Sequence, residues 1–323
     1  MSVPYAISGV AGDGTENSPY QVTTMDQLFE CCAVEDAYVC LMNDINCHFD
    51  PVYKGLVARS LVINCAKFYS SGTRKAIIGW NCDNTYNSTL QLLTCICNTV
   101  AGTIIDNISF EGCITKLGVI DNKTISTRAY FVFSSTCEIS NCNFSFFVDY
   151  SRDSASVSTR MGYIYGGIFK KCSLNFSCNV YRVYPTTQYC GFTPVRMDDC
   201  MLYMNRLFLA IGSHGETLFN NLYHCTVYVT NGLYRIAGSY SNNSMLLYSS
   251  DCENNIFYFD GAVIGSTGRD DNISYTSVYP NVVCNKITGS ISIKRSNDGN
   301  SVYTSNPDDL SNPDFLRSCG IVI

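Results

Sequence analysis

Residues Ile168–Phe176 read IFKKCSLNF, a cysteine set after two lysines and before a run in which polar and apolar residues alternate. The phrase recurs. Phe110 leads through Glu111 and Gly112 to Cys113, Thr115 and Leu117, and Ile139 leads through Ser140 and Asn141 to Cys142, Phe144 and Phe146. Phe169 leads to Cys172, Leu174 and Phe176. Met197 leads through Asp198 and Asp199 to Cys200, Leu202 and Met204, and Leu222 leads through Tyr223 and His224 to Cys225, Val227 and Val229. Cys252 and Cys284 head looser copies, and Cys65 a degenerate one. Side chains two apart share one face of a strand, so each cysteine points the same way as the two apolar residues after it. The apolar residue three before the cysteine is out of that phase. A corner is therefore expected in the polar two-residue slot between them.

The spacing sets the architecture. Cys113 to Cys142 is 29 residues, followed by steps of 30, 28, 25, 27 and 32 to Cys172, Cys200, Cys225, Cys252 and Cys284. A unit recurring every ~20–50 residues marks a solenoid, propeller or array. Period-two segments rich in Val, Ile, Tyr and Phe exclude helical repeats, and a four-stranded propeller blade needs ~40–45 residues. Three short strands with their turns fit the observed step. The expected fold is all-β: a single-stranded, right-handed parallel β-helix with short helical caps at both ends. Residues 1–50 would form the lead-in and capping helix with the first strands, 51–300 the β-helix, and 301–323 the helical tail. Equivalent positions then recur one strand spacing (~4.8 Å) apart. Cys113, Cys142, Cys172, Cys200, Cys225, Cys252 and Cys284 are expected to form an inward ladder of core fillers.

Composition bounds the function. Hydrophobic residues make up 46% of the 323 and charged ones only 15%, so the core is ample and the surface must be mainly neutral polar residues and Tyr. A net charge of −6 gives no phosphate-binding footprint, and no nucleic-acid partner is expected. No apolar run reaches the ~20 residues of a membrane span, and the opening residues lack the charged and apolar regions of a secretion signal. Nineteen cysteines resemble a disulfide framework, but the odd count, the core-facing positions and the length of the chain favour reduced thiols. No cofactor and no metal site is expected: Cys95 and Cys97 share a strand face without a second pair at zinc-site spacing.

At the N-terminus, Thr24 and Gln27 stand in capping-box spacing before Leu28 and Phe29 and predict a short helix. The preceding Gly12, Gly14, Thr15, Pro19, Tyr20 and Val22 resemble the lead-in of repetitive bacterial surface proteins and phage β-helix proteins. At the other end, Asn312, Pro313 and Gly320 read as cap, first helical residue and stop. Phe315, Leu316, Gly320 and Val322 are similar to the tails of virion proteins in gut phages, including crAss-like ones. These resemblances imply a structural component of a tailed-phage virion, a head fibre, capsid decoration or tail fibre or spike, assembled in the host cytoplasm. Its partners would be capsid, portal or tail proteins, with a host-surface glycan as a further one, and a homotrimer follows by analogy with phage fibres.

Two alternatives stand beside this. A non-viral surface adhesin would share the fold. The segments RMDDC and IGSHGE (Arg196–Cys200, Ile211–Glu216) resemble motifs of polygalacturonase-type glycosidases. That resemblance would make Asp198 and Asp199 the catalytic carboxylates, with His214 assisting and Lys294 or Arg295 holding a sugar carboxylate. Glycoside hydrolysis does need paired carboxylates, but Asp198 and Asp199 fill the corner slot that holds two lysines or Ser-Asn in sister repeats. His214 follows Cys200 by only 14 residues, half a repeat away. No catalytic residue is therefore assigned.

Overall fold

In the computed structural model, residues 5–47, 61–79, 81–84, 96–117, 131–150, 160–161, 164–180, 188–189, 192–211, 217–219, 221–237, 245–248, 254–260, 271–275, 282–285, 293–294, 301–304 and 306–319 are described. The chain is mostly β, and its strands are parallel within their sheets. Each repeat passes once through three sheets. Phe131–Val132 lies in one, Glu138–Ser140 in the next and Asn143–Tyr150 in a third; the following repeat supplies Ile164–Tyr165, Ile168–Lys170 and Ser173–Val180 in the same order. We call the sheet of Glu138–Ser140 the first, that of Asn143–Tyr150 the second, and that of Phe131–Val132 the third. Among the described residues they hold eight, eleven and nine strands. The first sheet begins at Tyr20–Val22 and the second runs to Ser301–Thr304.

The inward residues of all three sheets meet in one core. Phe68, Ile105, Ile139, Phe169 and Met197 come from the first sheet, Phe110, Phe144, Leu174 and Leu202 from the second, and Leu61, Ile96, Phe131 and Ile164 from the third. Stacking the same position in successive repeats brings like side chains together. Phe110 lies on Phe144 at 5.0 Å between ring centroids, and Phe131 meets Phe144 and Phe146 edge-on at 5.5 and 4.9 Å. Such pairs contribute about 0.5–1.5 kcal/mol each beyond their buried area.

The expected corner is a single residue. Between the first and second sheets the chain passes through Asn107, Asn141, Lys171, Asp199, His224 and Asn254 in successive repeats, all in the left-handed region with φ between 52° and 58°. One such residue turns the strand sharply, and its N–H joins the stacking ladder. Asn107 donates to Ser140 O, Asn141 to Lys170 O and Lys171 to Asp198 O, each at 3.0 Å. Left-handed backbone costs an L-residue about 1–2 kcal/mol, least for Asn and Asp, which explains why three of the six are Asn. The Asn107 side chain also clamps the neighbouring repeat, donating to Ser70 O and Gly72 O at 3.1 and 3.0 Å.

The N-terminal lead-in is an edge-covering turn. Gln21 N–H donates to Ala11 O at 2.8 Å in an antiparallel bridge against the first strand. Gly12 has φ +92°, and a Cβ there would stand 2.0 Å from Pro19 O, so only glycine fits. Helix α1 (Met25–Cys32) has the expected capping box of Thr24 and Gln27, and it buries Leu28, Cys31 and Cys32 in the core.

Helix α2 (Pro313–Ser318) begins as expected, with Asn312 accepting from Asp314 and Phe315 N–H and with Pro313 at the first turn; Gly320 lies outside the described residues. Its location differs from a cap over the last repeat. The tail sits on the flank, where Leu310 and Leu316 pack on the outward Ile256 and Tyr258 of the second sheet. The reason is local: Ile256 and Tyr258 alternate with the inward Asn255 and Phe257, leaving an apolar outer patch that the tail covers.

The corner makes a direct prediction. Lys171→Gly should raise stability to chemical denaturation by up to about 1 kcal/mol, the left-handed penalty less the chain entropy of glycine. Lys171→Val should lower it by a similar amount, because a β-branched residue tolerates positive φ worst.

Candidate functional site

Three groups of side chains recur in register: the cysteines behind the corner, the polar residues on it, and tyrosines on the outer face beyond it. Each cysteine of the group directly follows a corner residue. Asn143 pairs with Ser173, Ser173 with Met201, and Met201 with Thr226, so the residues just before them, Cys142, Cys172, Cys200 and Cys225, fall in one column. All four are buried free thiols. Each lies near the carbonyl two residues back: Cys142 Sγ to Ser140 O at 3.1 Å, Cys172 to Lys170 O at 3.4 Å, Cys200 to Asp198 O at 3.3 Å and Cys225 to Tyr223 O at 3.3 Å. The side chain wanted here is small, apolar and able to offer a weak donor to the corner carbonyl, and cysteine is all three.

The column is shorter than the sequence implies. Phe110 pairs with Phe144 and Cys113 with Phe146 across a register shift, so Ile108 precedes Cys142 and Cys113 is out of the column. The repeat that matters there is Ile105-Asp106-Asn107-Ile108. At the other end Ile256 pairs with Thr226, which puts Asn255 after Cys225. Fully buried, Asn255 accepts from Cys225 N–H at 2.9 Å and donates to Leu222 O at 2.8 Å. Cys284 pairs with Phe257, two residues beyond the column, and Cys252 lies outside the described residues.

The acidic pair sits on the corner. Asp198 ends its strand, and both carboxylate oxygens accept from Arg196 Nε at 2.8 and 2.7 Å. The Arg196 guanidinium in turn lies 3.8 Å over the Tyr223 ring. Asp199 is the left-handed residue, exposed, with His224 Nδ1 3.8 Å from its carboxylate. His224 Nε2 stands 3.1 Å from Asn254 Nδ2 of the next corner. A glycosidase needs one carboxyl held as an acid in an apolar setting beside an ionised one; here one is ion-paired with Arg196 and the other stands in solvent. The structure joins Arg196, Tyr223 and His224 to the pair. His214 and Arg295 lie outside the described residues, as does the Lys294 side chain.

The third group escaped the sequence reading. Tyr203, Tyr228 and Tyr258 stack on the outer face of the second sheet, with centroids 4.9 and 4.6 Å apart and planes within 10°. Tyr258 Oη donates to Leu310 O at 2.8 Å, under the docked tail. At the other end Tyr203 and its neighbour Met201 are exposed. The signal was available: a Tyr stands third after Cys200, Cys225 and Asn255, which is outward phase. Inside the stack the ring faces of Tyr203, Tyr228 and Tyr258 cover one another. The row presents edges and hydroxyls, which suit contact with protein.

No family model, curated protein or solved structure matches this chain.

Burial pushes the thiols of Cys31 and Cys137 up to about 12 and that of Cys47 to about 11; the Cys142 thiol is raised well above the ordinary range by the same cause. The folded state therefore keeps protons that the unfolded chain releases near 9. This contribution is fully present below the unfolded value and is lost as pH rises through the folded one. The thiol contribution to stability should be constant up to about pH 8.5 and fall between about 9 and 12, with a slope that Cys31→Ala and Cys137→Ala flatten; denaturant titrations at stepped alkaline pH measure it.

Proposed function

We propose that the three-sheet winding is a right-handed parallel β-helix, with α1 closing its N-terminal end, and that it serves as a rigid structural component of a tailed-phage virion. Its partners are other virion proteins, and it is assembled in the host cytoplasm. The observation that carries this is the in-register column Cys142, Cys172, Cys200 and Cys225, all free thiols turned toward backbone carbonyls. A core filled with free cysteine suits folding in a reducing cytoplasm better than export to an oxidising compartment. The lead-in turn, in which Gly12 lies close against Pro19, fits the resemblance of Gly12, Gly14, Thr15, Pro19, Tyr20 and Val22 to phage and surface-protein lead-ins. The reading favours a scaffold over an enzyme because the acidic pair is taken up at a corner, by Arg196 and by solvent.

Mass spectrometry of purified particles, from a culture in which the gene is expressed, tests the reading. Its peptides should co-purify with the capsid through a density gradient, and their absence from particles would refute it. Thiol counting of the denatured, non-reduced protein should find close to 19 free groups; a low count would remove the compartment argument. Asp198→Asn with Asp199→Asn should leave particle incorporation unchanged, whereas polysaccharide cleavage abolished by that exchange would establish a depolymerase instead.

A further inference from the structure

The outer face of the second sheet is half covered. Its register columns run Ser173, Met201, Thr226, Ile256 and Asn175, Tyr203, Tyr228, Tyr258. The last members, Ile256 and Tyr258, are the seat of the chain's own tail through Leu310 and Leu316. One strand back, Thr226 and Tyr228 are half-buried, and two strands back Met201 and Tyr203 are among the exposed large apolar residues. The strip is also uncharged: none of the described outward positions on the strand segments Ser173–Ser177, Met201–Asn205 and Thr226–Thr230 is Asp, Glu, Lys or Arg. The outer face of the first sheet differs, carrying Glu138 paired with Lys170 and Asp198 paired with Arg196.

We propose that this open strip is a homotypic interface, on which a second copy of the chain seats the same face. Two features select that occupant. The strip continues, strand by strand, the two columns whose last members, Ile256 and Tyr258, pack on the chain's own tail. In a chain of net charge −6, most surfaces brought against themselves repel, and the uncharged strip does not. Charge depletion with tyrosine and methionine enrichment is the composition of an interface centre, and a closed contact between identical patches is the commonest symmetric solution. Ser173, Asn175, Met201, Tyr203, Thr226 and Tyr228 form the contact, with the exposed Tyr203 and Met201 at its middle. The inference is independent of the virion reading, since a protein absent from particles can still self-associate.

Sedimentation equilibrium of the purified full chain tests it. The wild type should sediment at a multiple of 35.8 kDa at micromolar concentration. The double variant Met201→Glu, Tyr203→Glu should associate at least tenfold more weakly with its circular dichroism unchanged. Glu138→Gln on the first sheet should associate as the wild type does. A monomeric wild type, or association untouched by the double variant, overturns the proposal. Should that variant misfold, a photo-crosslinking residue at the exposed Asn175 decides: a covalent dimer supports the strip, while no dimer, or one formed only from a crosslinker at the exposed Tyr165 of the third sheet, overturns it.

Discussion

The whole arrangement depends on one backbone event, a single left-handed residue between the first and second sheets. Asn107, Asn141, Lys171, Asp199, His224 and Asn254 perform it in turn. Because one residue suffices, the strands on either side keep opposite inward phases, and a side chain can point into the core two residues before and directly after the turn. The same geometry constrains the residue after the corner. That position is buried, and isoleucine fills it once at Ile108, cysteine four times and asparagine once at Asn255. The conformational cost of each corner, about 1–2 kcal/mol for a residue other than glycine, is offset by the ladder of N–H to carbonyl bonds that in-register stacking supplies at the same residue.

Much of this was legible in the sequence, because period-two alternation and a fixed step are signals of local geometry. The alternation gave the strands, the polar slot gave the corner, and Thr24 with Gln27 gave α1. What failed was register at the edges of the pattern. Cys113 reads as a good copy of the motif, yet Ile105 to Ile108 is the true equivalent of Ile139 to Cys142. A search keyed on cysteine prefers a cysteine, whereas the core requires only a buried side chain of suitable size. Asn255 was missed for the converse reason: it replaces the thiol with an amide that bonds Cys225 N–H and Leu222 O of the preceding repeat. The position of the tail was not legible either, since an apolar amphipathic end is equally consistent with an end cap and a flank contact until Ile256 and Tyr258 are seen facing outward.

The candidate functional features divide along the same line. Residues that resemble catalytic machinery, Asp198 and Asp199, are explained by the corner and its neighbours. The outer tyrosines have no such explanation from the winding, because any strand-forming residue would satisfy an outward position. Their stacking stiffens the flank and leaves one end under the tail and one end open.

Long-wavelength diffraction that locates sulfur atoms by their anomalous scattering would test the central claim most directly. The account predicts a row of four sulfurs, from Cys142, Cys172, Cys200 and Cys225, stepping at about one strand spacing, ~4.8 Å, with Cys113 off the row. Sulfurs scattered over different faces, or paired at the ~2.0 Å of a disulfide, would contradict it.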